Sequence, residues 1–262
     1  MKSFIFALQH LTRIHLADVA FDQRQLGRSG MYFPLVGLIL GLLLVLMDWI
    51  AGLLFPPIAA AAALVLGLVV LTGGIHLDGF MDTVDGVFSG RPRERKLEIM
   101  RDSRVGAFGA LGVFCLLLFK FGLLAGLTEK TFQPLILMTV LGRWSMTYAI
   151  ARFPYARSEG MGRLHSLHTG KLELAVASLT ALLIATATGG VGGIVIFCIS
   201  IFFSHMICVY LNRVLGGLTG DTYGFLNEIT EVFVLSLYFP LARYAPEIFS
   251  VLFPAIINVL IV

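Results

Sequence analysis

The run from Phe33 to Phe55, FPLVGLILGLLLVLMDWIAGLLF, contains one charged side chain, Asp48. A helix needs roughly 20 mostly apolar residues to cross a bilayer, so this run is long enough to span one. It is not isolated. Apolar stretches recur at 57–72, 107–127, 133–152, 173–188, 192–211, 229–242 and 247–262. Soluble domains carry about a quarter charged residues, whereas this chain carries 13%. That is too little charge to clothe a water-facing surface, so the lipid bilayer is the expected surroundings. The pattern predicts an all-α, polytopic transmembrane helix bundle of seven or eight spans. The second, fifth, seventh and eighth stretches are short, which suits tilted, broken or re-entrant elements.

The basic residues fall on one side of this pattern. Lys2, Arg13, Arg24 and Arg28 lie in 1–32. Arg91, Arg93, Arg95, Lys96, Arg101 and Arg104 lie in 73–106. Arg152, Arg157, Arg163 and Lys171 lie in 152–172, and Arg213 in 212–228. If the chain alternates sides through successive spans, all four segments share one face. Lysine and arginine favour cytoplasmic loops, so that face is assigned to the cytoplasm, with both termini, in a multi-pass inner-membrane protein. The opposite connections, near Phe55–Pro56, Gly189–Gly190 and Arg243, are short, and Thr128–Phe132 adds Glu129 and Lys130. A transporter needs machinery reachable from both sides. Chemistry gathered on one side suits an enzyme with a membrane body beneath its site. The expected organisation is one catalytic domain, 1–262, with an N-terminal interfacial segment (1–32), a catalytic segment (73–106) and further site loops (153–172 and 212–231).

The start does not read as a signal peptide, because Gln9 and His10 interrupt its apolar run. Phe4, Leu8 and Leu11 share a helical face, which fits a helix lying at the interface or one packed under the bundle. Cys115, Cys198 and Cys208 are scattered through apolar segments and form neither a disulfide framework nor a zinc motif. Nothing in the chain points to nucleic acid.

Three aspartates stand at the edge of the second apolar stretch, in HLDGFMDTVDG (His76–Gly86). Asp78, Asp82 and Asp85 are spaced i, i+4 and i+7, which puts them on one helical face. Like charges so placed repel unless something neutralises them. Mg²⁺ does so with oxygen ligands, usually one or two carboxylates completed by water and substrate phosphate. Gly79 and Gly86 leave room for a phosphate beside the acids. Asp102, followed by Arg104, Gly106 and Gly109, is a candidate fourth acid for the metal. The glycines also fit plain close packing of helices. His76 either touches substrate or caps the helix.

A second acidic group lies in GGLTGDTYGFLNEITE (Gly216–Glu231). Asp221 sits in a glycine-rich turn whose backbone N–H groups, around Gly220 and Thr222, can meet phosphate. Glu228 and Glu231 follow at i, i+3. Asp82, Asp221, Glu228 and Glu231 are the candidate catalytic acids, holding metal or accepting a proton. Two acidic groups on one face would suit two metal ions bridging a diphosphate. Arg143, deep in an apolar run, calls for an acid or a substrate phosphate as partner. Arg157, in PYARSEGMGRLHSLHTG, stands among flexible glycines; His165 and His168 there are either metal ligands or ordinary loop histidines. Lys120 reads as a snorkelling or structurally paired lysine.

Five stretches, YFPLVGLILG, GGIHLDGFMDTVDG, EIMRDSRVGAFG, GRW…FPYARSEGMG and GGLTGDTYGFLNEITE, resemble in order the cobalamin synthase (adenosylcobinamide-GDP ribazoletransferase) family. They extend over most of the chain. One departure is His15, where proline is expected after LTRI. The resemblance implies a polytopic inner-membrane enzyme that joins adenosylcobinamide-GDP to α-ribazole or its 5′-phosphate, releases GMP and requires Mg²⁺. It implies that Asp78, Asp82 and Asp85 hold the metal against the diphosphate, and that Arg104, Arg143 and Arg157 steady phosphates. Whether soluble enzymes of the pathway dock on the basic loops stays open. Two other readings compete. DTVDG begins the CDP-alcohol phosphotransferase pattern, although its remainder is absent at the needed spacing, and polyprenyl transferases also use Asp-rich helices with Mg²⁺. An ion-coupled transporter would need acids reachable from both faces.

Overall fold

The computed structural model describes residues 2–127 and 132–249. Among them the chain is helical, and its one β feature is an isolated parallel bridge between Tyr155 and Leu218. In order the helices are α1 (Lys2–Leu11), α2 (Gln23–Gly27), α3 (Phe33–Leu54), α4 (Pro57–Thr72), α5 (Ile75–Phe88), α6 (Arg93–Ile99), α7 (Ala107–Ala125), α8 (Phe132–Arg152), α9 (Met161–His168), α10 (Lys171–Leu215) and α11 (Gly220–Tyr244).

Four of the described helical stretches are long and apolar enough to cross a membrane: Gln23–Leu54, α7, α10 and α11. The α4–α5 pair makes a fifth if it is one broken span. That is fewer than the seven or eight expected, and the difference has three sources. The stretch predicted at 133–152 is present as α8, but it is buried on every side and its segment includes Arg143, so it does not read as lipid-facing. The stretches predicted at 173–188 and 192–211 are joined in α10. The stretch 247–262 lies outside the described residues beyond Phe249.

α10 is not one straight rod. Gly190, with φ 58° and ψ −136°, interrupts it. A Cβ on Gly193 would sit 1.9 Å from the carbonyl oxygen of Ala185, so the chain folds back on itself there. Both ends of α10 reach the polar end of the molecule: Glu173 pairs with Arg28 at 2.7 Å, and Gly216 lies beside Arg93. The bend sits at the opposite end, where Gln133 donates through Nε2 to the Thr188 carbonyl at 3.2 Å and its Oε1 accepts from the Tyr238 hydroxyl at 3.0 Å.

α8 forms the axis of the bundle, with α3, α10 and α11 around it. Its apolar residues Leu135, Leu137, Leu141 and Trp144 join one core with Leu64 of α4 and Leu235 of α11. α1 buries Ala7, Leu8 and Leu11 against Phe33 and Val36 of α3, so it is packed under the bundle.

α4 and α5 meet at 92°. Gly73 and Gly74 make this corner, with φ of 65° and 71°. Two consecutive left-handed residues are cheap only for glycine. Arg13 lies directly over Gly73, where a Cβ would be 1.9 Å from its Nε. The corner turns α5 out of the apolar layer and lays its acids along the polar end.

Candidate active site

α5 docks on α11 through glycine. A Cβ on Gly79 would lie 2.8 Å from the Asp221 carbonyl oxygen, and one on Gly224 would lie 3.1 Å from that of His76. The close approach brings two acidic groups distant in sequence to one place. Asp78 and Asp221 line the same cavity, of about 470 Å³, together with Arg157, Arg101, His76 and Gly220. Asp82, half-buried one turn on from Asp78, lies within electrostatic reach of Asp221, Asp78 and Arg157.

Asp221 is held from the opposite side. Arg157 Nη2 reaches its Oδ2 at 2.7 Å, and Thr219 Oγ1 donates to the same oxygen at 3.4 Å. The two site loops are tied by backbone: Ala156 N donates to the Leu218 carbonyl and Leu218 N to the Pro154 carbonyl, both at 2.8 Å. This pairing fixes Arg157 over the start of α11. Thr219 is the N-cap of that helix. Its hydroxyl accepts from Thr222 N at 3.3 Å, while Thr219 N donates to Thr222 Oγ1 at 2.8 Å. Thr222, expected at substrate, is therefore committed to the reciprocal cap. Gly220 has open space around it and faces the cavity.

The structure separates the remaining expected residues from this centre. Both carboxylate oxygens of Asp85 accept backbone N–H groups at the start of α7, from Gly106 and Gly109, each at 2.8 Å. A Cβ on either glycine would overlap that carboxylate. The Gly106–Gly109 spacing therefore serves as a cradle for Asp85, which neutralises the positive end of α7. Asp102 turns to Arg104, whose Nε and Nη2 both donate to it, the closest contact being 2.6 Å. That forked pair holds the Asp102 carboxyl down at about 2, and it stands in solvent. Asp102 and Arg104 satisfy one another and point away from the metal and phosphate roles expected of them.

Glu228 and Glu231 lie deeper, away from the cavity wall, and are neutralised. Lys120 Nζ of α7 donates to Glu228 at 2.6 Å and to Glu231 at 2.7 Å. Arg143 Nη1 of α8 donates to the other oxygen of Glu231. All four side chains are buried. Two acids and two bases cancel, so the group closes the middle of the bundle without net charge. Arg143 thus finds its acid partner in Glu231 and is far too enclosed to meet a substrate phosphate.

His76 does not cap α5; the N-cap is Gly74 and no side chain closes it. Its ring is buried against the cavity, with Nε2 unpartnered. Among the wall residues that sequence reasoning passed over are Arg101, Tyr155, His10 and Phe33. Arg101 stood in a basic run explained by membrane topology, and Phe33 looked like the first residue of a span. His165 also lines the wall, but His168 packs against Gly27, so they are not a ligand pair. Among the described residues, no three His, Cys, Asp or Glu side chains come together as a ready-made metal site.

A protein-family profile described as cobalamin-5-phosphate synthase matches residues 3–239. The chain is 43% identical over 231 residues to an adenosylcobinamide-GDP ribazoletransferase of Roseiflexus sp. (strain RS-1), covering 88% of this chain and 86% of the relative. It is 41% identical to the enzyme of that name in Desulfitobacterium hafniense (strain Y51), covering 92% and 98%. It is 37% identical to that of Desulforamulus reducens, covering 90% and 95%. No solved structure matches it. A match along nearly the whole chain, with relatives of one activity, settles the lineage of a fold that carries its acids at one end: the chain belongs to the cobalamin-5-phosphate synthase family.

Proposed function

We propose that this protein is an adenosylcobinamide-GDP ribazoletransferase that joins the phospho-cobinamide group of adenosylcobinamide-GDP to α-ribazole or its 5′-phosphate and releases GMP. The observation that carries the reading is the shared cavity of Asp78 on α5 and Asp221 on α11, with Arg157 beside them. A diphosphate at such a place meets a cation on one side and acids able to hold Mg²⁺ on the other. Phosphoryl transfer depends mainly on positioning and on charge neutralisation.

The donor set fits Mg²⁺. With Asp85 engaged by backbone and Asp102 by Arg104, the available ligands are Asp78 and Asp82. Mg²⁺ characteristically takes one or two carboxylates and completes its shell with water and substrate phosphate. Bound there, the ion supplies positive charge to the diphosphate.

The protein's own groups do the rest. Arg157 and Arg101 hold phosphate oxygens in the cavity. The ribazole 3′-hydroxyl oxygen forms a bond to the phosphorus nearer the corrinoid. The bond from that phosphorus to the bridging oxygen breaks, and its electron pair leaves with GMP. Asp221, the cavity-facing acid of the second group, accepts the hydroxyl proton.

The bilayer placement belongs to the same proposal. α3, α4, α7, α8, the two halves of α10, and α11 cross in turn, with the Lys- and Arg-bearing end in the cytoplasm of an inner membrane. The test is Asp82→Asn in purified protein. Membrane insertion should be retained and GMP release from adenosylcobinamide-GDP abolished. Wild-type turnover in that variant would refute the metal role.

A further inference from the structure

The cavity is lined by two groups of different chemistry. One carries Asp78, Asp221 and Arg157. The other is built from Phe33, Met146 and Ile150 with the imidazoles of His165 and His10. Phe33 and His165 rings stand 5.5 Å apart at 63°, and His10 and His165 5.4 Å apart at 35°. These are the spacings of packed rings, the first pair edge-to-face and the second tilted. His165 is fully enclosed, and neither ring nitrogen makes a hydrogen bond of ordinary geometry. The Tyr223 hydroxyl on the same wall is also buried and unpartnered. Buried polar groups of this kind normally have partners.

A second chamber, of about 650 Å³, adjoins the first between α1, Thr12–Arg13 and the Gly73–Gly74 corner. The two chambers share His10, Ile75, Asp78 and Met161 as walls. A reaction between two substrates needs two sites that meet at the reacting atoms. Asp78 stands where they meet.

Resting on the proposed transferase activity, we propose that the His165–Phe33–His10 wall is the subsite for the flat heteroaromatic base of the incoming ribazole, with the Asp78 side left for the diphosphate substrate. Burial pushes the His165 imidazole down to about 3 against a weaker opposing contact with the Gly27 backbone. The ring is therefore neutral in use and offers one N–H donor and one acceptor. That pair, set among apolar side chains, matches an azole base with a single in-plane ring-nitrogen acceptor. The guanine of the other substrate presents two adjacent N–H donors and calls for a carboxylate. Asp78 and Asp221 are occupied with the reaction, and Glu159, which also lines the chamber, is solvent-exposed.

The test uses full-length protein in nanodiscs. Equilibrium binding of α-ribazole without corrinoid or metal should weaken about tenfold in His165→Phe, which keeps a flat ring and removes both nitrogens. KM for α-ribazole should rise by a similar factor, with kcat and the KM for adenosylcobinamide-GDP within twofold of wild type. Tyr223→Phe provides a milder probe of the same wall. For wild-type protein, a photoreactive azole riboside should label Phe33 or the Gly162–His168 segment. Unchanged ribazole binding in both variants, loss of GMP rather than ribazole affinity, or labelling confined to Thr12–Arg13 and Thr72–Gly74 would each overturn the subsite. Absence of GMP release by wild-type enzyme would instead overturn the functional reading, while the photolabelling would still report on the wall.

Discussion

Replacing Lys120 by methionine separates the structural from the catalytic reading of Glu228 and Glu231. In the structure one ammonium serves both acids, at 2.6 and 2.7 Å. At an effective dielectric of 20, each contact is worth about 6 kcal/mol of Coulomb attraction. Desolvating the ions offsets several kcal/mol for each, so the intact group gains little beyond what apolar packing would give. Breaking it is different. Methionine fills the space of the lysine stem but leaves two buried carboxylates facing the single charge of Arg143. Removing one partner of a buried pair costs about 3–5 kcal/mol. For a chain of this length that lowers Tm by about 10 °C. The compensating double variant, Lys120→Met with Glu228→Gln, removes one charge of each sign and leaves the Arg143–Glu231 pair balanced. It should recover most of the lost stability and most of the GMP release. The assay is a double-mutant cycle of thermal unfolding in nanodiscs, with turnover measured alongside. A catalytic Glu228 gives another pattern: Glu228→Gln would abolish turnover at full stability, and the double variant would stay inactive. That result would refute the structural assignment.

Two further outcomes follow from the acids set apart from the cavity. Asp85→Ala should destabilise the protein by about 1–3 kcal/mol, because two backbone N–H groups at the start of α7 lose their acceptor; thermal unfolding reads this, and an unchanged Tm would refute the capping role. Asp102→Asn should leave GMP release at pH 7 within twofold of wild type, because its Arg104 partnership stands in solvent; loss of Mg²⁺-dependent turnover would return Asp102 to the metal site.

Much of this arrangement was legible in the sequence. Charge scarcity implied a helical membrane body. The distribution of lysine and arginine put the polar loops on one side, and the structure brings Asp78 and Asp221 together across more than half the chain. The acid partner expected for Arg143 and the structural pairing expected for Lys120 are both present, but the depth of the two glutamates was not legible. Glu228 and Glu231 looked like a continuation of the Asp221 group because they follow it closely. α11, however, carries Asp221 in its first turn and those glutamates about two and three turns deeper, where Lys120 and Arg143 from other helices meet them. No local pattern predicts which cation from α7 or α8 will stand opposite. The wall residues His10 and Phe33 were hidden for a similar reason: each is unremarkable on its own helix and acquires meaning only where α1, α3 and α9 converge, beside the His165 that the sequence had offered as a metal ligand or a loop histidine.

Asp85 marks where a periodicity argument stops. Seven residues return nearly to the same helical face, so spacing alone groups Asp85 with Asp78. The same seven residues also advance about 10 Å along the axis. Oxygen ligands lie about 2 Å from Mg²⁺, so no single ion joins carboxylates that far apart without long reaches from both. Asp78 and Asp82, about 6 Å apart along the axis, are within reach of a shared ion. Asp85 is one turn beyond, where the N-terminus of α7 arrives with two free N–H groups. The third aspartate thus has its own neutraliser. It anchors α7 against α5, leaving Asp78 on the cavity wall and Asp82 within electrostatic reach of Asp221.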